Sequence, residues 1–339
     1  MKEKQESLFD NPPAWTEHWE GMPEFKQENL MPVESIKVHF RDKAARMAFL
    51  QLLGENPKRR SSIWYPPQQI RRSGELEYQA VRQGRYPVFV VSKGRAKTRH
   101  TSKALDQLGI EYSIVIEPQE YDEYAAVIDA KRILTLPFSN LGQGSIPARN
   151  WVWDYAISIG ASRHWILDDN IDGFASLNNN IKAKVTDRNP FIEAEDLTDK
   201  YDNVALSGLN YRFFAKAKQV IPPLYLNTRV YSCILINHAI PYRWRGRYNE
   251  DTDLSIRALK DGWCTILFNT MLINKAATMT VKGGNTDELY KDDGRLKMAQ
   301  SLQEQHPDIV KITEKWGRYQ HHVDYSVFKK NKLKLRSGV

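Results

Sequence analysis

The stretch HWILDDNIDGF, residues 164–174, runs an apolar segment, Trp165, Ile166 and Leu167, straight into Asp168, Asp169, Asn170 and Asp172. A short apolar run tipped with acids reads as a buried strand that delivers carboxylates to its C-terminal edge. In open α/β sheets that edge is where ligands bind. Carboxylates packed so closely repel one another, so they need a solvated loop or a cation. The competing reading is an acidic turn with Asn170 and Asp172 as turn residues. The surrounding sequence has to decide.

Upstream, YPVFVVSKGRA (86–96) reads as a buried strand and TRHTSKALDQLGI as a helix. EYSIVIEP is a second strand, EYDEYAAVI a second helix and RILTLP a third strand. IPARNWVWDYAISIGA (146–161) is a helix with Pro147 in its first turn, and HWILDD is the fourth strand. Strands alternating with helices of this length predict a mostly parallel sheet with right-handed crossovers, flanked by helices. Downstream, residues 178–200 are polar and turn-rich, which suggests a connection or lid. VALSGLNYRFFA, VYSCILINHAI and CTILFNTMLIN read as strands, and NEDTDLSIRALKDG (249–262) and 295–306 as helices. Ahead of all this, SIKVHF (35–40), a helix over 42–54 capped by Asp42, and SSIWYPP (61–67) predict a small β-α-β appendage behind an aromatic arm. The expected division is 1–84 for arm and accessory module, 85–325 for an α/β catalytic domain, and 326–339 for a basic tail.

Three loops carry polar chemistry beside the acidic strand end. Ser92, Lys93, Gly94 and Arg95 follow the first strand, where amides and cations can face an anion or simply form a polar βα loop. GQGSIPARN (142–150) sets Arg149 and Asn150 in a helical first turn, which suits a diphosphate but is also compatible with a surface arginine. RGRYNEDTDL (245–254) opens a helix with Glu250 and Asp251, either as ordinary dipole complements or as a general base. His321 and His322 are candidate imidazole ligands for a metal held by Asp168 and Asn170. The order of these elements is that of an enzyme binding a nucleoside diphosphate through a divalent cation and releasing its β-phosphate as leaving group.

The chain has 339 residues, 41% of them hydrophobic and 27% charged, as expected of a soluble globular protein. No apolar segment approaches the roughly 18 residues of a membrane span, and MKEKQESLFD is too polar for a signal peptide. Cys233 and Cys264 are too few for a disulfide framework or a zinc cluster, so a reducing cytoplasm is expected. The net charge of +8 is modest, yet the basic residues cluster. Lys58, Arg59 and Arg60, then Arg243, Arg245 and Arg247, and the tail KKNKLKLR (329–336) stand among Trp and Tyr residues, either as a nucleic-acid surface or as solvated faces.

With those motifs in view, residues 85–325 resemble the GT-A glycosyltransferases. More narrowly, PVFVVSKGRA, IPARNWVWDYAISIGASRHWILDDNIDGF and RYNEDTDLSIRALKDGW resemble the TET-associated glycosyltransferases of bacteriophages. The resemblance implies a UDP-sugar donor (UDP-glucose or UDP-N-acetylglucosamine) and Mn²⁺ or Mg²⁺ on the Asp-x-Asp element, matched here by Asp168-x-Asn170 with an amide as its last member. It implies His322, ahead of His321, as the histidine closing the metal shell. Ser92, Lys93, Gly94, Arg95, Arg149, Asn150, Asp168 and Asp169 are the implied donor-binding set, and Asp251 or Glu250 the implied base. The implied acceptor is the hydroxymethyl group of 5-hydroxymethylcytosine or 5-hydroxymethyluracil in double-stranded phage DNA. The implied partner is a TET-like dioxygenase that makes that hydroxyl, and the implied setting is the cytoplasm of the infected host. Rival readings are a GT-A enzyme with a surface-glycan or protein acceptor, a sugar nucleotidyltransferase, and a non-catalytic phage DNA-binding protein.

Overall fold

The computed structural model describes residues 34, 36–53, 83–178, 180–186, 189–216, 220–275, 294–315 and 317–337. The chain divides into two units, Met1–Val81 and Arg82–Val339. In the first, α1 (Lys43–Leu52) starts at Asp42, whose carboxylate accepts from the Ala45 amide at 2.8 Å as an N-cap should. Residues 36–40 are not a strand, against the reading of SIKVHF; SSIWYPP and Lys58, Arg59 and Arg60 lie outside the described residues.

The second unit begins with β1 (Val88–Val91), α2 (His100–Asp106), β2 (Ser113–Ile116), α3 (Tyr121–Ala125), β3 (Ile133–Thr135), α4 (Ile146–Ser158) and β4 (Arg163–Asp168). These four strands are parallel neighbours in the order β3-β2-β1-β4. Strand β4 is buried from Arg163 to Leu167, so its apolar run carries no alternation, the pattern of a strand covered on both faces. Trp165 and Trp153 are fully buried; a side chain of this size, moved out of water, stabilises by at least about 1.5–3 kcal/mol.

Next come β5 (Ile171–Asn178), β6 (Ile181–Lys184), α5 (Ile192–Thr198), β7 (Val204–Tyr211), β8 (Leu224–Leu226), β9 (Cys233–Asn237), α6 (Glu250–Lys260) and β10 (Cys264–Lys275). The sheet continues from β4 as β9-β7-β10-β5-β6, with β8 on β10. Strands β9, β5 and β8 run against the rest, so the sheet is mixed and mostly of one direction, flanked by helices. Two parts of the 178–200 segment differ from the expected lid. Residues 181–184 pair with β5 as a hairpin, and Phe191 is fully buried 4.6 Å from the Trp165 ring. The apolar positions here are too few for a periodicity to show; Val185, Phe191 and Ala194 are buried, while Ile181 is exposed. Finally α7 (Gly294–Gln305) and the hairpin β11 (Val310–Lys315) with β12 (Arg318–Val323) follow, and the chain returns to the body through buried Phe328. Among the described residues no helix is long and apolar enough to cross a membrane.

Register sets the site. Val91 is opposite Asp168 across β1 and β4, and Leu167 is opposite Cys233 across β4 and β9. The Ser92 loop, the acidic turn and Ser232 therefore meet at one sheet edge. Strand β7 approaches β9 closely at Gly208, where a Cβ would land on the Cys233 carbonyl oxygen and 2.5 Å from Val230 Cγ1. Gly208→Ala is expected to destabilise by about 2–3 kcal/mol, as overpacking against backbone does. A thermal melt within a degree of the parent would contradict this close approach.

Candidate active site

The turn after β4 is held from below. Thr101 Oγ1, on α2, donates to the Asp168 carbonyl at 2.6 Å and accepts from the Ile171 amide at 2.9 Å. The two following side chains have different partners. Asp169 is buried; it accepts from Ser92 Oγ at 2.9 Å and is ion-paired with the Arg95 guanidinium, while Tyr124 bonds Ser92 at 2.6 Å. Burial pushes Asp169 up, and Arg95 and Ser92 oppose that. The geometry makes Ser92, Asp169 and Arg95 a clamp that fixes the first loop on the acidic turn. Lys93 and Gly94 stay at the surface of that loop: Lys93 Nζ lies 2.9 Å from Glu117 and 3.1 Å from Asn140 Oδ1, and the Gly94 amide donates to Glu120.

Asp168 turns the other way, into a charged cluster. Its Oδ1 accepts from Arg149 Nη2 at 2.6 Å and its Oδ2 from Lys275 Nζ at 2.6 Å. Arg149, from the first turn of α4, is also ion-paired with Asp251 and lies 4.0 Å from Glu250, both on the first turn of α6. One guanidinium thus joins the acid-tipped strand to the Glu-Asp helix. Lys275 Nζ also donates to Ser232 Oγ at 2.8 Å and to Tyr211 at 3.3 Å. Burial disfavours each charge, but the opposite charges win: Asp168 is held well below the carboxylate range, and Arg149 and Lys275 well above their ordinary values. Three carboxylates against two cations leave one net negative charge in the cluster.

The two members of the Glu-Asp pair are unequal. Asp251 is fully engaged, by Arg149, by Trp244 Nε1 at 3.2 Å and by the Ser232 amide at 3.2 Å. Glu250 is lightly bonded among the described residues: it accepts from Ser145 Oγ at a weak 3.3 Å and from its own backbone amide, and 22% of its side chain is exposed. Burial and the neighbouring Asp251 push its carboxyl up, while Arg149 pulls down. A lightly bonded carboxyl with a raised pKa is the better proton acceptor.

Several expected site residues take other roles. Asn150 brackets the Trp244 backbone, donating to its carbonyl at 2.9 Å and accepting from its amide at 3.0 Å, so it shapes the loop before α6. Arg243 pairs with Asp154 at 2.9 Å, and Arg245 with buried Asp253 at 3.0 Å, where Arg257 and His306 also converge. Both are therefore committed within the fold; Arg247 is exposed and also has internal contacts. His322 is exposed on β12 across from Lys311, and no hydrogen bond or ion pair links it to Asp168 or Asn170. His321 faces inward, held down to about 4 by burial and by Arg229. Lys275, Ser232, Tyr211 and Thr101 were not anticipated from sequence. Lys275 alone carried a signal, as the single charge that ends the eleven-residue run CTILFNTMLIN.

A divalent cation has partial support from the donor set. Among the described residues Asn170 Oδ1 is a buried acceptor with no hydrogen-bond partner, two residues on from Asp168, and the cluster has negative charge to spare. Among the described residues no group of three His, Cys, Asp or Glu could hold a metal.

Residues 86–284 match the sequence profile of the family described as TET-Associated Glycosyltransferase. No match was found among curated proteins. Among solved structures, one that is similar is a protein of Desulfovibrio desulfuricans G20 named as a candidate nucleotide-diphospho-sugar transferase. It is 10% identical, with a TM-score of 0.32, over 54% of this chain and 79% of that one.

Proposed function

The chain belongs to the TET-associated glycosyltransferase family, and from that premise we propose that it moves a sugar from a UDP-sugar to the hydroxymethyl group of a 5-hydroxymethylpyrimidine in phage DNA. The observation that carries this reading is the convergence of Asp168, Glu250 and Asp251 on Arg149 at the ligand-binding edge of the sheet. Lys93, its side chain 40% exposed beside Glu117, receives the nucleotide. Arg149 and Lys275 meet the charge that grows on the departing UDP, as preorganised cations do in a low-dielectric site. Where Mn²⁺ or Mg²⁺ binds, Asp168 and Asn170 hold it, and it adds charge neutralisation on the same diphosphate.

Glu250 accepts the hydroxymethyl proton as the oxygen attacks the anomeric carbon and the bond to UDP breaks. Asp251 holds Arg149, Trp244 and the Ser232 amide in place. A base acting on a single direct displacement predicts inversion at the anomeric carbon. The hydroxymethyl group projects into the major groove, so phosphate contacts with the duplex are needed, and affinity is expected to fall steeply with salt.

The test incubates the protein with Mn²⁺, a panel of UDP-sugars and duplex DNA carrying 5-hydroxymethylcytosine or 5-hydroxymethyluracil, and reads the digested nucleosides by mass spectrometry. A hexose or N-acetylhexosamine on the modified base establishes the reaction and names the sugar class. UDP release only with a glycan or protein acceptor would replace the DNA acceptor with that one.

A further inference from the structure

Arg243 and Arg245, first assigned to DNA, are paired with Asp154 and Asp253, which leaves a place for other cations to meet the acceptor. An aromatic ladder leads outward from the site. Tyr211 touches Lys275 and Ser232; Phe214 stacks on Tyr211 at 5.6 Å and 19°; Phe213 packs edge-on against Phe214 at 5.6 Å. Phe213 is 82% exposed, an unusual position for a large apolar ring. Cations lie on its segment and on β6. Arg212 and Lys216 flank the ladder in sequence and are exposed. On β6, Lys182 Nζ reaches the Arg212 carbonyl at 3.2 Å, and Lys184, two residues on, lies on the same strand face. None of these four cations is in an ion pair among the described residues, and neither 181–184 nor 211–216 contains an acid.

We propose that this surface is the acceptor-strand platform: Lys182, Lys184, Arg212 and Lys216 take backbone phosphates, and the Phe213 ring stacks on a base next to the target nucleotide. Exposed aromatics among cations beside a reaction site are what single-stranded or locally opened nucleic acid recognises. The inference rests on the DNA-acceptor reading and gives it a surface.

The experiment measures anisotropy of a fluorescein-labelled 20-nucleotide DNA, single-stranded and as a duplex with a central mismatch, across a salt series. Phe213→Ala is expected to raise Kd by about fivefold or more at fixed salt, as loss of one base–aromatic stack does, and Phe213→Trp to restore it. The pair Lys182→Ala with Lys184→Ala is expected to flatten the salt slope by roughly 1.4–1.8. Unchanged thermal melts show that these exposed substitutions leave the fold intact. A Phe213→Ala Kd within twofold of the parent, an unchanged slope, or a parent that binds neither DNA at low salt overturns the platform. Sugar transfer to DNA without dependence on Phe213 would leave the proposed function standing and remove the platform. Phe213-dependent binding without transfer would do the reverse.

Discussion

Arg149→Ala is expected to abolish sugar transfer and to lower the free energy of unfolding by about 3–5 kcal/mol, the cost of removing one partner from a buried ionic network. The guanidinium is 6% exposed and joins Asp168, Asp251 and Glu250. Without it, among the described residues three clustered carboxylates keep Lys275 as counter-charge, and their repulsion acts in a low-dielectric setting. Arg149→Lys separates the two consequences. A lysine retains the charge but lacks the planar fork that reaches Asp168 and Asp251 together. That variant should recover part of the stability and remain at least about a hundredfold slower, the loss expected when a catalytic donor is displaced. Thermal melting alongside UDP release checks both. An alanine variant that melts like the parent would show that Arg149 is not the joint of the site.

Glu250→Gln is expected to lower kcat by about 10²–10⁴-fold, the usual contribution of a positioned base, while leaving stability at pH 7 equal or higher. The divergence follows from the direction of its shift. Burial, reinforced by Asp251, raises the Glu250 carboxyl above its ordinary 4.5. A carboxyl raised in the folded state contributes stability below its unfolded pKa and loses it as pH rises through the folded one. The ionised form is thus the strained one at neutral pH, and glutamine removes that strain. The base must be ionised to act, so the acid limb of the parent's pH–rate profile should lie above 4.5 and vanish in the variant. Asp251→Gln, by contrast, should lose stability together with rate, because Asp251 anchors Arg149, Trp244 and the Ser232 amide.

The contrast between those two neighbours was not legible in the sequence, and the reason recurs across the site. Burial along β1, β4, β9 and β10 leaves largely apolar runs that any reading of the chain can find, because a strand covered on both faces shows no alternation of polar and apolar positions. Acids at the tip of β4, Arg149 in the first turn of α4 and Glu250 in that of α6 were equally visible, since each sits at a fixed offset from an element boundary. The hairpin at 181–184 and the buried Phe191 were missed, because four to seven residues are too few to show a period. Partner choice depends on which strands become neighbours. Lys275 meets Asp168 across 107 residues of sequence only because β10 ends beside the turn after β4, and Arg245 is spent on Asp253 because α6 buries that acid. The sequence by itself determined the order of the elements and the chemistry at their ends; the tertiary structure alone decided which charges cancel and which remain for a ligand, because burial strengthens an ion pair only once both partners have been brought out of water together.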